Sequence, residues 1–263
     1  MDPREPKPQS GHLHGRHVVV TRPETQAHAF CAMLEAAGAS VTRFPVIEIQ
    51  GPRDPAALQS VIERLDRFDI AVFVSANAVR RTLPKALERG PWPARLRVAA
   101  IGAGTARALA EHGVPADIVP ATRFDSEALL EEPDLQNMQG RKVVLFRGDG
   151  GREHLAGTFR SRGAEVVYAE AYRRTVPKTD PLPLLALLGS GTVDAVTVTS
   201  GESLRNLMTM LGPPGRTALA QTTLVAGAGR VADVARELGF PGRVLVADDP
   251  TDPSMYRALL SLG

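Results

Sequence analysis

Tyr172 is the residue whose type and position best suit proton transfer. It follows a predicted apolar strand, next to Arg173 and Arg174, where the chain turns into a proline-rich connection. A phenol at such a place could donate a proton to a leaving oxygen in a cleft. A half-buried aromatic ring that packs against the connection fits the same pattern, so both interpretations stay open at this point.

Other familiar catalytic groups are missing from the sequence. It has no HExxH pair and no GxSxG motif. Cys31, the single cysteine, lies in a predicted helix beside apolar residues, which is typical of core packing and excludes an intramolecular disulfide or a multi-cysteine zinc site. His12, His14 and His17 lie in or next to a proline-rich stretch, which favours solvated side chains over metal ligands. The sequence therefore signals no metal and no cofactor.

Small and polar residues follow six predicted strands, each time just before a predicted helix. Helix N-termini expose unpaired amide N–H groups and the positive end of the helix dipole, so several of them at one cleft would bind a polyanion. Each loop alone is better explained as a helix cap or tight turn, whereas the set favours a binding site. The loops are TRPET (21–25), VSANA (74–78), IGAGT (101–105), FRGDGGRE (146–153), TSGES (199–203) and AGAGR (226–230).

The charge pattern favours an anionic small molecule as the ligand. GAGTA lacks the third glycine of the dinucleotide fingerprint, and GDGGRE contains no Walker lysine, so a nucleotide is weakly supported. Residues 139–174 hold eight basic and four acidic side chains, although a solvated helix face could also account for part of this excess. The net charge of +2 and the 5% aromatic content argue against nucleic-acid binding. The sequence contains no run of about 18 apolar residues, so it predicts no membrane span.

Two stretches of the sequence align without a gap when the chain is shifted by 125 residues. Residues 16–42 align with residues 141–167, and Ser75 aligns with Ser200. In each half, short apolar runs alternate with helical stretches, which predicts an α/β fold with two doubly wound parallel-sheet domains. The predicted strands are 17–21, 41–47, 70–74, 97–101, 117–120, 142–146, 165–171, 194–199, 222–226 and 243–247.

Two proline-rich segments, RFPVIEIQGPRDP and AEAYRRTVPKTDPLP, are candidate crossings between the domains. The pattern permits two crossings but is also compatible with contiguous domains. With both crossings, the organisation is a flexible tail 1–14, domain 1 over 15–46 plus 176–263, domain 2 over 50–172, and linkers 47–49 and 173–175. The first residues lack the apolar block of a secretory signal, so we expect a cytoplasmic protein. Without an extended apolar surface or a coiled-coil pattern, we expect a monomer.

In their order and spacing, the segments resemble the uroporphyrinogen-III synthase family. The resemblance covers nearly everything from residue 16 to about 247. It implies two Rossmann- or flavodoxin-like domains, the first discontinuous, joined by a two-stranded linker with the ligand cleft between them. It also implies a reaction without metal or cofactor, in which hydroxymethylbilane closes to uroporphyrinogen III with loss of water and inversion of its last pyrrole ring. The segments that carry it are VVVTRPETQAHAFCAMLEAAGASVTRFPVIEI, DIAVFVSANAV, VAAIGAGTARALAEHG, LFRGDGGREHLAGTFRSRGAEVVYAEAYRR and VDAVTVTSGESLRNL.

By the same resemblance, Tyr172 corresponds to a tyrosine that assists loss of the substrate hydroxyl. Ser75, Thr105 and Ser200 match cleft-loop positions that would hold substrate carboxylates. Arg230 departs from the family pattern, where threonine is common; an arginine there could hold an acetate or propionate of the substrate more firmly, or could narrow the cleft. The full set predicted to bind substrate, in which Arg152 matches a basic residue of the GRE segment, is Arg22, Ser75, Ala76, Gly102, Thr105, Arg147, Arg152, Ser200, Gly201, Gly227 and Arg230.

Two other functions remain compatible with this scaffold. One is a non-catalytic ligand-binding or regulatory protein, which an appended DNA-binding domain would favour; no such domain is expected here. The other is a nucleotide-sugar transferase, which is usually larger and would need a nucleotide fingerprint. For the synthase we expect a linear tetrapyrrole as the partner, together with transient contact with the preceding enzyme of the pathway, and neither nucleic acid nor membrane.

Overall fold

The computed structural model describes residues 12–121, 123, 125–150 and 153–262, and the chain divides into two compact units. Unit 1 comprises the chain up to Glu48 and again from Thr175 onward. Unit 2 comprises Ile49–Arg174. Unit 1 is therefore built from two separate segments, and unit 2 is inserted between them in the sequence.

Within the described residues, ten strands form two five-stranded sheets, one in each unit. In chain order they are β1 (His17–Val20), β2 (Ser40–Arg43), β3 (Glu48–Gln50), β4 (Ile70–Phe73), β5 (Arg97–Ala100), β6 (Lys142–Gly148), β7 (Glu165–Thr175), β8 (Ala195–Val198), β9 (Thr223–Ala226) and β10 (Val244–Val246).

The strand order of both sheets is that of a doubly wound fold. In unit 1 the order is β10-β9-β8-β1-β2, and all neighbours are parallel. In unit 2 the order is β3-β7-β6-β4-β5, in which β7, β6, β4 and β5 pair in parallel. Because paired strands run parallel, the carboxyl ends of the five strands of unit 1 share one edge of their sheet, and those of β7, β6, β4 and β5 share one edge of theirs. The predicted fold class is confirmed.

Most helices follow a strand and return the chain to the next one. In chain order they are α1 (Glu24–Ala36), α2 (Pro55–Ile62), α3 (Ala76–Leu87), α4 (Ala103–Glu111), α5 (Ser126–Glu131), α6 (His154–Ser161), α7 (Leu182–Gly189), α8 (Gly201–Leu219), α9 (Gly229–Glu237) and α10 (Asp252–Leu259). Helix α8 bends at Gly212, whose φ of 60° is accessible to glycine at little cost. In the part of the chain that the structure describes, no helix is both long and apolar enough to cross a membrane.

The apolar runs that form β4 and β8 are strands with every residue buried. All four residues of β4 are buried, and Phe73 at its end stacks on Phe146 of β6 with ring centroids 4.7 Å apart. In unit 1, helix α1 packs Phe30 and Cys31 into the core. Burial raises the pKa of the Cys31 thiol, which fits the predicted role of Cys31 in core packing.

Several expectations from the sequence differ from the structure. The strand predicted over 41–47 ends at Arg43, because its partner strand β1 ends at Val20, which pairs with Arg43. The strand predicted over 117–120 is reduced to a single parallel bridge at Ile118. The prediction of a flexible tail over 1–14 is wrong at Leu13. This residue is 2% exposed and packs in the core of unit 1. The backbone N–H of Leu13 also donates to the carbonyl of Ala37 at 3.0 Å.

Candidate functional site

Each unit gathers helix N-termini at the carboxyl edge of its own sheet. In unit 2, Ser75 caps α3 directly after β4, and Gly102 caps α4 directly after β5. In unit 1, Ser200 caps α8 directly after β8. Since the carboxyl ends of parallel strands meet at one edge, these caps expose amide N–H groups to the same side of each sheet. An anion at that side would meet donors that are already in place.

A β-bulge sets the direction of Tyr172. The register of β6 and β7 is regular from Lys142 opposite Glu165 to Arg147 opposite Glu170, and then shifts so that Gly148 lies opposite Tyr172. Ala171 is therefore the extra residue of β7. Strict alternation would put Tyr172 on the opposite face from Ala171, but both belong to one core cluster. Bulges re-aim side chains in this way near functional sites.

The hydroxyl of Tyr172 is held by Ser75. The Ser75 Oγ donates to the phenol oxygen at 3.1 Å and accepts the backbone N–H of Ala78 at 3.1 Å. The second bond is the N-terminal cap of α3, so the serine is oriented by the helix that follows it. The donated bond leaves the phenol's own proton available for transfer, and it would stabilise a phenolate once that proton is gone.

Gly148 leaves room for the ring of Tyr172. A Cβ atom at Gly148 would lie 2.8 Å from both Cε2 and Cζ of that ring. The ring is buried, with the whole residue 2% exposed, and packs in the cluster that contains Phe73 and Phe146. Arg174 lies with its guanidinium carbon 6.0 Å from the ring centroid.

Three further predicted residues of unit 2 lie in the first turns of its helices. Ala76 is the first residue of α3. Gly102 is buried and has an extended backbone, and its carbonyl accepts the N–H of Thr105 at 3.0 Å. Thr105 is only 5% exposed. At the carboxyl edge of the sheet of unit 2, the hydrogen-bond donors available to a ligand are therefore backbone N–H groups rather than the Thr105 side chain.

Arg147 lies on the opposite face of the sheet from Tyr172. Its guanidinium carbon is 4.7 Å from the ring centroid of Tyr168, and its side chain is 8% exposed. The Nη1 donates to Glu153 Oε1 at 3.3 Å, and the Tyr168 hydroxyl donates to the other carboxylate oxygen of Glu153. These contacts, led by the bond from Tyr168, lower the pKa of Glu153. The structure therefore engages Arg147 with a carboxylate of its own chain, and its role in substrate binding stays a prediction.

In unit 1, the predicted glycines permit close packing. A Cβ at Gly201 would lie 3.0 Å from Val234 Cγ2, and one at Gly227 would lie 3.1 Å from the Cα of Thr199 and the Cβ of Pro250. Neither position has room for a larger residue without a shift of its neighbours. The glycines thus let the loops after β8 and β9 approach their surroundings closely.

Ser200, Arg22 and Arg230 differ in how firmly they are held. The Ser200 Oγ accepts the N–H of Ser203 at 3.1 Å and so caps α8. Arg22 forms an ion pair with Asp252 and donates to the carbonyl of Pro250 at 2.8 Å, which ties it to the start of α10. Arg230 is exposed in the first turn of α9. Arg152 lies outside the described residues.

Taken together, the structure brings two of the predicted site residues, Tyr172 and Ser75, into direct contact. It also adds Gly148, which the sequence analysis included only as part of the FRGDGGRE loop. Among the described residues, no group of three or more His, Cys, Asp or Glu side chains could hold a metal ion.

Comparison with known proteins gives consistent matches along almost the whole chain. A family model described as uroporphyrinogen-III synthase HemD matches residues 28–257. The uroporphyrinogen-III synthase of Salmonella typhimurium is 35% identical over 246 residues, which are 92% of this chain and 99% of that protein. That of Escherichia coli is 32% identical over 244 residues, again 92% and 99% of the two chains.

Two solved structures share the fold. A mutant uroporphyrinogen III synthase of Thermus thermophilus matches with a TM-score of 0.64 at 24% identity, and the match covers 94% of this chain and 98% of that one. The uroporphyrinogen-III synthetase of Helicobacter pylori matches with a TM-score of 0.61 at 16% identity, over 94% of this chain and 100% of that one.

Proposed function

The chain belongs to the uroporphyrinogen-III synthase family, and on that premise we propose that it closes hydroxymethylbilane to uroporphyrinogen III with loss of water and inversion of the last pyrrole ring. The observation that carries this proposal is 35% identity to a uroporphyrinogen-III synthase over 92% of this chain and 99% of the relative. No observation favours a non-catalytic protein on the same scaffold.

The proposed reaction begins when the terminal hydroxyl of the linear substrate leaves as water. Tyr172 donates its proton to that hydroxyl, and the C–O bond breaks to give an azafulvene-type cation. The substituted α carbon of the far pyrrole ring attacks this cation and forms a spiro intermediate. The bond from that carbon to its original methylene bridge then breaks, which gives a second azafulvene-type cation on the neighbouring ring. The free α carbon of the inverted last ring attacks this second cation and closes the macrocycle. The proton lost from the ring carbon at closure can return to the phenolate, so the protein ends as it began.

Ser75 supports that step because it donates to the oxygen that becomes negative. The Oγ of Ser75 lies 3.1 Å from the phenol oxygen and is fixed by the N-terminus of α3. A donor that is oriented before the reaction needs no reorganisation when charge develops. The phenol and its donor therefore form one unit, in which the helix cap orients the serine and the serine orients the phenol.

The proposed binding mode uses backbone amides as the main partners of the substrate carboxylates. In unit 2, Ser75 and Gly102 each stand at the N-terminus of a helix that follows a strand. Such ends attract anions through unpaired N–H groups and the helix dipole. A flexible polycarboxylate that is held at several such ends loses much of its conformational freedom before the reaction, which favours one folded shape over many.

Access to Tyr172 is a requirement of this proposal. Tyr172 is 2% exposed, so a substrate hydroxyl reaches its oxygen only if the surroundings of the phenol open when substrate binds. Buried surroundings also keep bulk water from the cation that forms there. Exclusion of water matters because water would otherwise compete with the far pyrrole ring for that cation.

We further propose that the protein acts as a cytoplasmic monomer and meets the preceding enzyme of the pathway only transiently. The single cysteine fits a reducing compartment. Light scattering coupled to size-exclusion chromatography tests the proposed oligomeric state, since a monomer has a mass of 28.1 kDa. A stable dimer would contradict it.

Product isomer analysis tests the proposed function. Hydroxymethylbilane is supplied to the purified protein, and the uroporphyrin isomers obtained after oxidation are separated by chromatography. The proposal predicts mainly the type III isomer with protein and mainly the type I isomer in a control without protein. A reaction with protein that yields only type I would show that the chain does not catalyse ring inversion.

A further inference from the structure

We propose that Gly148 is a positioning residue for the reaction, because the absence of a side chain there sets where the hydroxyl of Tyr172 stands. This inference rests on the proposed role of Tyr172. It names a residue that does not touch the substrate and that acts only through the phenol.

The register of β6 and β7 places Tyr172 opposite Gly148. The offset between paired residues of β6 and β7 changes by one between Arg147 and Gly148, so the extra residue Ala171 turns Tyr172 toward the face of α3. Gly148 lies directly opposite Tyr172 after this shift. The backbone N–H of Asp149 then donates to the carbonyl of Tyr172 at 2.9 Å, which fixes the strand on the far side of the bulge.

Gly148 leaves space for the tip of the phenol. A Cβ there would lie 2.8 Å from Cε2 and Cζ of Tyr172 and 3.2 Å from its hydroxyl oxygen. Ordinary contacts between such atoms are about 3.5–4.0 Å. The tip of the phenol therefore occupies the space that any other residue at position 148 would fill, and it is this same tip that accepts the bond from Ser75.

A methyl group added at Gly148 would displace the phenol rather than the backbone. Gly148 is not among the glycines with a positive φ, so alanine fits its backbone without strain. The three atoms nearest to such a methyl group all belong to the far end of the Tyr172 side chain rather than to the backbone. Alanine at this position should therefore move the phenol and leave the fold in place.

The experiment is a double-mutant cycle on Gly148→Ala and Tyr172→Phe. We expect Gly148→Ala alone to lower kcat by about tenfold or more, with KM changed by less than about threefold, because the transferred proton is misplaced while the binding groups are untouched. In the Tyr172→Phe background the same substitution should change kcat by less than about twofold, because no hydroxyl remains to be positioned.

Gly157→Ala is the matched control. Gly157 lies in α6 of the same unit, and a Cβ there would meet no atom within 4 Å. We expect the kcat of the Gly157→Ala variant to equal that of the unsubstituted protein. Circular dichroism and thermal melts check that all variants are folded.

Each outcome decides the proposal. If Gly148→Ala lowers kcat equally with Tyr172 in place and in the Tyr172→Phe background, the proposal is overturned, since Gly148 would then act without the hydroxyl. An unchanged kcat, or loss of the folded state, would also overturn it, because the phenol would then not be what is displaced. If Tyr172→Phe alone leaves kcat unchanged, the proposed role of Tyr172 fails first, and that result is read separately from the effect of Gly148→Ala.

Discussion

Ser75 donates a 3.1 Å hydrogen bond to the phenol oxygen of Tyr172, across 97 positions of the sequence. Ser75 also accepts the N–H of Ala78, so the first turn of α3 orients the bond. The contact joins the loop after β4 to the far end of β7 within unit 2. It couples the candidate acid to a helix N-terminus, where positive dipole density favours a developing negative charge.

The Tyr172→Phe substitution is predicted to lower kcat by about a hundredfold, within the range expected for loss of a general acid. The ring and its packing are retained, so the melting temperature should change little. Steady-state rates of type III formation give the measurement. Tyr168→Phe is the control, since Tyr168 lies on the other face of the sheet with Arg147 and should leave kcat nearly unchanged. Equal rates for Tyr172→Phe and the unsubstituted protein would remove Tyr172 from the mechanism.

The Ser75→Ala substitution is predicted to lower both stability and kcat. Loss of the cap of α3 should cost about 1 kcal/mol in the free energy of unfolding. Loss of the bond to the phenol should lower kcat by a further factor of about ten. Asp54→Ala is the matched control, because Asp54 caps α2 through the N–H of Ala57 and has no contact with Tyr172. Urea unfolding and kinetics are measured on both; if the control loses as much kcat as Ser75→Ala, the bond to Tyr172 has no specific role.

The alternation of strands and helices was visible in the sequence because parallel strands covered on both faces consist of apolar runs. β4 and β8 are of this kind, with every residue buried. The direction of Tyr172 was not visible in the sequence. It depends on a bulge between β6 and β7, whose paired residues lie 23 positions apart in the chain before the bulge. No local pattern around Ala171 indicates that shift.

The partner of Arg22 was also beyond the sequence pattern. The structure pairs Arg22 with Asp252, which lies 230 positions away, and the role of Arg22 in substrate binding stays a prediction. A long-range ion pair leaves no signal in local spacing. Position 148 shows the same limit, since a glycine in a glycine-rich loop gives no hint that it faces an aromatic ring on the next strand.

The Arg22→Ala substitution is predicted to lower the free energy of unfolding by about 2 kcal/mol, the scale of hydrogen bonds to charged groups. Arg22 is 11% exposed, lies 4.7 Å from the ring centroid of Phe30 and holds the segment from Pro250 to Asp252. Asp252→Asn should show part of the same loss in urea unfolding. A stable Arg22→Ala with a raised KM would instead support the predicted role of Arg22 in substrate binding.

The ion pair of Glu153 is predicted to stabilise the protein above pH 4.5 and to lose that effect in acid. The pKa of Glu153 is lowered from its ordinary value of 4.5, first by the hydrogen bond from Tyr168 and then by Arg147. A carboxylate with a lowered folded-state pKa adds stability above its unfolded pKa, and this stability disappears as the pH falls through the folded value. Urea unfolding at pH 7, 5 and 3 should show Glu153→Gln less stable than the unsubstituted protein at pH 7 and equal to it at pH 3. A difference that does not depend on pH would contradict this.

The Tyr256→Phe substitution is predicted to stabilise unit 1. The hydroxyl of Tyr256 is buried without a hydrogen-bond partner, in a cluster that contains Phe30, Leu34 and Met255. An unpaired buried hydroxyl loses its hydration without compensation, so its removal should raise the free energy of unfolding by about 1 kcal/mol. The urea midpoint should rise without a change in slope, and kcat should stay the same. Since Tyr168 donates to Glu153, the same substitution at Tyr168 should give no such gain, and a loss of stability in Tyr256→Phe would show that the hydroxyl has a partner.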